Sequence, residues 1–303
     1  MSKVNIVMDM SQYDLFLLCH ERYNNRYNLN LTAPTKASQL DRGTIIHVGS
    51  EVYYDALRHG IAYQDAVNAA LSKIRQAGVI ATDLEPEYIN RIIDVMEEYF
   101  DYWRVEDQNF QIVAIEQPFL IKIHEDDEVT IHLAGKIDLL TSDDRYTNKP
   151  MDHKSHDRES EVHRMPNQFK CYAYATQSNF LTVNRIGMQK TLKAHEKFKR
   201  ITLSYDPIYL EQWRQNVVKV ILNQYLVCVA EDYWPTNETS CDKYFRRCEY
   251  FNVCDSSGQP AKLYKREADF ITVEPWDVSK ALRKASEVVD DAIKKEDSLQ
   301  KES

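Results

Sequence analysis

Asp138, Asp152 and Lys154 are the residues of this chain whose types and spacing most readily do chemistry. Lys154 follows Asp152 by two positions in MDHK, and Asp138 closes the segment GKID upstream. If MDHK lies on a strand, alternation puts a carboxylate and an ammonium on one face. A hairpin can bring Asp138 opposite them. Two carboxylates about 4 Å apart would repel by roughly 4 kcal/mol at an effective dielectric near 20. Such a pair persists when a cation bridges it, and oxygen ligands suit Mg²⁺ or Mn²⁺. Phosphodiester hydrolysis needs these parts: a metal to polarise a phosphoryl oxygen and lower the pKa of water, and a lysine to stabilise transition-state charge. Taken alone, D-x-K is also what a surface strand pair looks like.

Other residues stand in supporting positions. His47 and Glu51 are spaced i, i+4 and share one helix face. Glu116 interrupts the apolar run AIEQPF, where it needs a partner or a job, unless it simply faces solvent. Gln168 and Tyr172 lie one helical turn apart just after the lysine. His153 and His156 flank the motif without an assigned role.

Six cysteines form a second set. Cys241, Cys248 and Cys254 fall within fourteen residues, spaced C-x₆-C-x₅-C. Thiolates at this density hold a soft metal or an iron–sulfur cluster. Zinc sites usually contain a closer C-x₂₋₄-C pair. Cys171 and Cys228 read as buried small hydrophobes, which leaves Cys19 as the fourth ligand.

The elements that must position these groups follow from periodicity. Helices are expected at Ser11–Tyr27 with Ser11 as N-cap, at Thr44–Leu57 after Gly43, at Tyr63–Ala77 and at Glu85–Glu106. A hairpin of Phe110–Ile123 and Val129–Leu140 turns at the acidic tip His124–Glu128, and a third strand runs over about Tyr146–Lys154. Then come a helix at Asn167–Gln177, strands near Leu181–Met188 and Arg200–Tyr205, a long helix from Asp206-Pro207 to about Glu231, and a charged helix over Asp277–Lys301. This order gives a mixed α/β core with helical additions.

Bulk composition sets the bounds. A chain of 303 residues with 43% hydrophobic residues can bury a core, and 7 Gly with 9 Pro argue against flexible stretches. The N-terminal segment carries Asp9 and Asp14 and is no signal peptide, and Val217–Ala230 is too polar to span a bilayer. A soluble, intracellular (cytoplasmic) protein without membrane contact is expected. The net charge of −9 speaks against nonspecific adhesion to nucleic acid. Against it stands a basic run from Arg185 to Arg200, read either as a solvated face or as a track for a phosphate backbone.

The ordered set GTIIH (43–47), IEQPF (115–119), GKIDLL (135–140), MDHK (151–154) and QFKCYAYA (168–175) resembles the PD-(D/E)XK nuclease superfamily. The likeness is strongest to RecB-like exonucleases and CRISPR-associated adaptation nucleases, and it spans about Ser11 to Cys254. No single motif is specific, but five in this order are. The resemblance implies a restriction-endonuclease-like core, a central mixed sheet flanked by helices. It implies His47, Asp138 and Asp152 as metal ligands with the His153 carbonyl beside them, Lys154 as the catalytic lysine, and Gln168 and Tyr172 as positioning groups. Glu51 and Glu116 match less closely as additional acidic residues. A subset of these nucleases holds a [4Fe-4S] cluster on one N-terminal and three C-terminal cysteines, which maps onto Cys19, Cys241, Cys248 and Cys254. The x₆ gap departs from the usual C-x₂-C and keeps Zn²⁺ open as the alternative.

The expected organisation is an N-terminal helical segment (1–42), a nuclease core (43–206) and a C-terminal helical region (207–303) with a cluster-binding loop at 241–254. The expected activity is a Mg²⁺- or Mn²⁺-dependent DNA exonuclease acting on single-stranded ends. Aromatic and basic residues between Phe180 and Arg200 would hold the strand. No GxxxxGK[ST] segment occurs, so unwinding would need a helicase partner. The alternatives are a non-catalytic DNA-binding protein of the same fold and a zinc-stabilised interaction protein.

Overall fold

A computed structural model describes residues 3–34, 42–81, 84–158, 161–243, 246–284, 286–287 and 290–291. The chain divides into two compact units. One comprises residues 1–38, 120–135 and 211–281, the other 39–119, 136–210 and 282–303. The long hairpin Gln111–Glu125/Val129–Ser142 runs through both.

The second unit holds a mixed sheet. Leu139–Thr141 pair antiparallel with Lys149–Met151, and the Lys149–His156 strand runs parallel to Phe180–Gly187. That strand in turn pairs antiparallel with Phe198–Ser204. β-Branched and apolar residues fill these strands because both faces are covered. On one face lie the helices Arg42–Arg58, Tyr63–Ile80 and Pro86–Trp103, whose Ile45, Tyr53, Ile74, Met96 and Phe100 form a core with Leu139, Met151 and Ile186. On the other lies the Asn167–Thr176 helix, packed through Phe169, Tyr172 and Ala173 onto Leu181 and Val183. The expected α/β class with a central mixed sheet between helices is therefore what the chain adopts.

The first unit contains a strand the sequence reading missed. Val4–Met8 pairs in parallel with Val129–Leu133. Asp9 then caps the helix Met10–Leu18, accepting from Gln12 N at 2.8 Å. This corrects the expected cap at Ser11, because the carboxylate two residues earlier already satisfies the first free amides. The single helix expected to Tyr27 is broken at Cys19, which is extended (φ −166°, ψ 119°). There Glu21 N donates to Pro235 O, and Asn237 N donates to Cys19 Sγ at 3.4 Å. The helix expected over 206–231 is interrupted by a π-turn at Ile221–Tyr225. A helix at Gln259–Asp269 was not foreseen. Of the helix expected over Asp277–Lys301, Val278–Ala281 is helical, 282–284 break it, and 286–287 and 290–291 are helical again; residues 285, 288–289 and 292–303 lie outside the described residues.

Candidate active site

Alternation on Lys149–His156 sorts the motif between two faces. The His153 ring is buried, stacks on Tyr54 (centroids 5.8 Å apart, 4° between planes) and takes a hydrogen bond from Asn184 Nδ2 at 2.6 Å. Asp152 and Lys154 point the other way, toward the Asn167–Thr176 helix. Lys154 Nζ donates to Asp152 Oδ1 and to Gln168 Oε1, each at 2.9 Å. Gln168 Nε2 passes the contact on to Tyr172 Oη at 2.9 Å. The i, i+4 spacing on the helix puts both side chains over the lysine.

His47, Glu116 and Asp138 meet beside this chain. Their ligand atoms lie within 4.8 Å of one another, the one such group of three among the described residues. His47 Nδ1 is 3.5 Å from Asp138 Oδ1 and 3.7 Å from Glu116 Oε1. Its Nε2 lies 3.1 Å from the carbonyl oxygen of His153. Asp138 Oδ2 accepts from His153 N at 2.7 Å. The buried Asp152 keeps its second oxygen, Oδ2, without a hydrogen-bond partner among the described residues.

These placements fit a hard divalent cation. Carboxylate oxygens, one imidazole and one carbonyl make up the donor set, and a buried carboxylate oxygen without a hydrogen-bond partner is a position a cation can fill. The electrostatics agree. Burial disfavours the charged imidazole of His47, but Asp138, Glu116 and Asp152 outweigh it and raise its pKa to about 9. Burial raises Asp138 and Asp152 above the ordinary aspartate range. For Asp138, nearby Asp152 and Glu116 add to the rise while His47 opposes it. Glu116 is held low against its burial by His47 and Lys136.

The structure thus brings together His47, Glu116, Asp138, Asp152, Lys154, Gln168 and Tyr172. Glu51 is engaged elsewhere, since its two carboxylate oxygens accept from Ser286 N (2.9 Å) and Ser286 Oγ (2.6 Å). Sequence reading overlooked Lys136, which pairs with Glu116. Its only signal was its place two residues before Asp138 in GKID.

The basic run from Arg185 to Arg200, read as a solvated face or a phosphate track, keeps Lys190 and Lys193 exposed but loses three members to the interior. Arg185 is buried in the sheet. Lys197 is buried and paired with Glu98. The Arg200 guanidinium pairs with buried Asp107 at 2.6 Å, stacks over Trp103 at 4.2 Å and bonds Tyr54 and Tyr99. Lys197 and Arg200, two of the six basic residues of the run, are thus consumed by internal partners from the Pro86–Trp103 helix and the turn after it, and a third, Arg185, is buried.

All six cysteines are unbridged. Cys171 and Cys228 are buried, as expected of small hydrophobes. Cys19, Cys241, Cys248 and Cys254 all fall in the first unit. Cys248 N donates to Cys241 O at 2.7 Å, and Asn237 lies against both Cys19 Sγ and Cys241 Sγ. Burial raises the thiol pKa of Cys241, Cys248 and Cys254, and neighbouring thiols add to each rise. Cys254 is pushed up to about 12, with Cys19 and Cys248 both contributing. The four thiols therefore feel one another, although no three of them lie within 4.8 Å.

The model of the PD-(D/E)XK nuclease superfamily matches residues 8–255. No curated protein sequence matches the chain. Among solved structures, the crystal structure of SSO0001 is similar at 11% identity and a TM-score of 0.32, over 71% of this chain and 84% of that one. LHK-Exo in complex with dAMP is similar at 12% identity and a TM-score of 0.28, over 64% and 99%. At such TM-scores neither likeness bears on mechanism.

Proposed function

This chain belongs to the PD-(D/E)XK nuclease superfamily and is thereby a metal-dependent nuclease, and we propose that it is a Mg²⁺- or Mn²⁺-dependent DNA exonuclease acting on single-stranded ends. His47, Asp138, Asp152 and the His153 carbonyl would hold the ion. A divalent ion in such a site supplies polarisation of a phosphoryl oxygen and a lowered pKa for water. Lys154 does the rest of the charge work. Anchored by Asp152 Oδ1 and Gln168 Oε1, its ammonium is half exposed, so it can donate a third hydrogen bond to the scissile phosphate or the attacking water. Tyr172, buried beside Phe119, keeps Gln168 pointed at the lysine. The His153 amide on Asp138 Oδ2 turns the other oxygen of that carboxylate toward His47. The preference for single-stranded ends rests on the resemblance to RecB-like exonucleases.

One observation carries this reading. A fully buried aspartate has one oxygen on a half-exposed lysine and the other without a hydrogen-bond partner among the described residues. Buried polar atoms are as a rule hydrogen-bonded, and this exception belongs to the aspartate whose charge acts on His47 and Asp138.

We further propose that Cys19, Cys241, Cys248 and Cys254 hold a structural [4Fe-4S] cluster. This reading rests on the resemblance to nucleases with one N-terminal and three C-terminal cluster cysteines, and on four thiols that fall in one unit, where Cys19, Cys241 and Cys248 each raise the pKa of a neighbouring thiol.

The experiment is digestion of end-labelled single- and double-stranded DNA with and without Mn²⁺. The wild-type protein should shorten the single strand from an end only with metal. Asp152→Ala and Lys154→Ala should bind DNA yet cleave at least about a hundredfold more slowly. Cleavage by either variant at the wild-type rate removes the site assignment.

A further inference from the structure

Glu116 is an unusual residue. It sits in mid-strand with φ +47°, a left-handed conformation that L side chains rarely adopt, and it is 2% exposed. A carboxylate so buried persists only with a partner. The partner is Lys136, from the neighbouring strand of the hairpin. The Lys136 ammonium is itself tethered, since Nζ donates to the carbonyl oxygen of Arg283 at 2.6 Å.

The oxygens of the three central carboxylates divide evenly. One of each meets a protein cation or donor: Glu116 Oε2 is ion-paired with Lys136, Asp138 Oδ2 accepts from His153 N, and Asp152 Oδ1 accepts from Lys154. Of the three left over, Glu116 Oε1 and Asp138 Oδ1 face His47 Nδ1, and Asp152 Oδ2 has no hydrogen-bond partner among the described residues. Charge tells the same story. Three carboxylates against the two ammonium groups leave a single net negative charge. One divalent ion beside a neutral His47 turns this into a single positive charge, which one phosphodiester cancels. A second ion would leave an excess of three.

We propose that the Lys136 ammonium stands where a second cation would otherwise sit beside Glu116, so that the site takes one divalent ion. Lys136 is then a positioning residue: it keeps the Glu116 carboxylate facing the His47 ring and out of the metal's coordination shell. A ligating imidazole is oriented by the group facing its other nitrogen, and the Glu116 carboxylate faces Nδ1 of His47 at 3.7 Å. The inference rests on the reading of His47, Asp138 and Asp152 as the metal site.

The test is the number of Mn²⁺ ions bound per full-length chain, measured by equilibrium dialysis, alongside thermal melting. Wild type should bind one ion that Asp138→Asn loses. Lys136→Met should bind two, because the freed Glu116 recruits a cation. Lys136→Arg and the double variant Lys136→Met/Glu116→Gln should each bind one. Lys136→Met should also melt lower than wild type without metal, and adding Glu116→Gln should restore much of the loss. Two ions on the wild-type protein, or one on Lys136→Met, would overturn the role of Lys136 while leaving the metal site standing. So would a double variant no more stable than the single. Equal Mn²⁺ binding by wild type and Asp138→Asn would sink the metal-site reading itself, and this inference with it.

Discussion

His47 shows how much a single side chain reports about its site. Its imidazole is held protonated to about 9 against an ordinary value near 6.5, because three carboxylates overcome the cost of burying it. A group whose pKa is raised on folding stabilises the folded state fully below its unfolded value, and that contribution is lost as pH rises through the folded value. The metal-free protein should therefore lose stability between about pH 6.5 and 9. Metal binding works against the proton, since a ligand nitrogen must be unprotonated. Mn²⁺ should bind more tightly as pH climbs through the same window, and at pH 7 its addition should release protons. Titration in weakly buffered solution with an indicator dye checks both. His47→Gln should abolish most of the proton release. A release as large as that of the wild type would show that the proton comes from elsewhere.

At the scale of elements, the helix Arg42–Arg58 carries His47 to the sheet, and Gly49 is the reason it can come so close to Tyr63–Ile80. A Cβ at Gly49 would lie 2.6 Å from Cγ1 of the fully buried Ile74. Gly49→Ala gains about 1 kcal/mol of helix propensity but overpacks a core at a cost of roughly 1–3 kcal/mol. A net loss of stability is expected, together with weaker Mn²⁺ binding as His47 shifts two residues away. Ile74→Val in the same chain should recover part of both. A Gly49→Ala protein that melts higher and binds Mn²⁺ as tightly would show that the helix contact is slack. Much of this framework was legible beforehand. Period-2 and period-3.6 patterns placed the hairpin, the D-x-K strand and four of the long helices, because burial of one face imposes those periods. What failed depended on partners distant in sequence. Val4–Met8 is five residues long, and it is a strand because Val129–Leu133 lies beside it. Arg185, Lys197 and Arg200 looked like solvent-facing charge, yet Glu98 and Asp107, about a hundred residues upstream, draw two of them inward. Asp138 and Asp152 could be assigned to one site from a local hairpin, whereas the pairing of Lys136 with Glu116 needed the register of that hairpin.

Across the whole molecule, the first unit is assembled from three separated stretches of chain, residues 1–38, 120–135 and 211–281. Bringing Cys19 to Cys241, 222 positions away, costs on the order of 5 kcal/mol of chain entropy by (3/2)RT ln n. Packing offsets part of this: Phe16, Tyr23, Tyr225 and Trp234 form an aromatic cluster with neighbouring ring centroids 5.6–6.0 Å apart. The helix break at Cys19 sets its sulfur against Asn237, four residues from Cys241, so the backbone is already bent to present thiols from both ends of the chain. Bonds from four thiolates to one cluster would convert that loop closure into binding free energy, as structural metal sites do. Anaerobically purified protein should therefore be brown. Cys248→Ala should lose the chromophore and melt several degrees lower, while Cys171→Ala should keep the colour because that thiol is buried in the other unit. Full visible absorbance with unchanged melting in Cys248→Ala would mean that the four thiols merely share a neighbourhood. A colourless wild-type protein carrying one zinc ion per chain would give the same cysteines a different occupant.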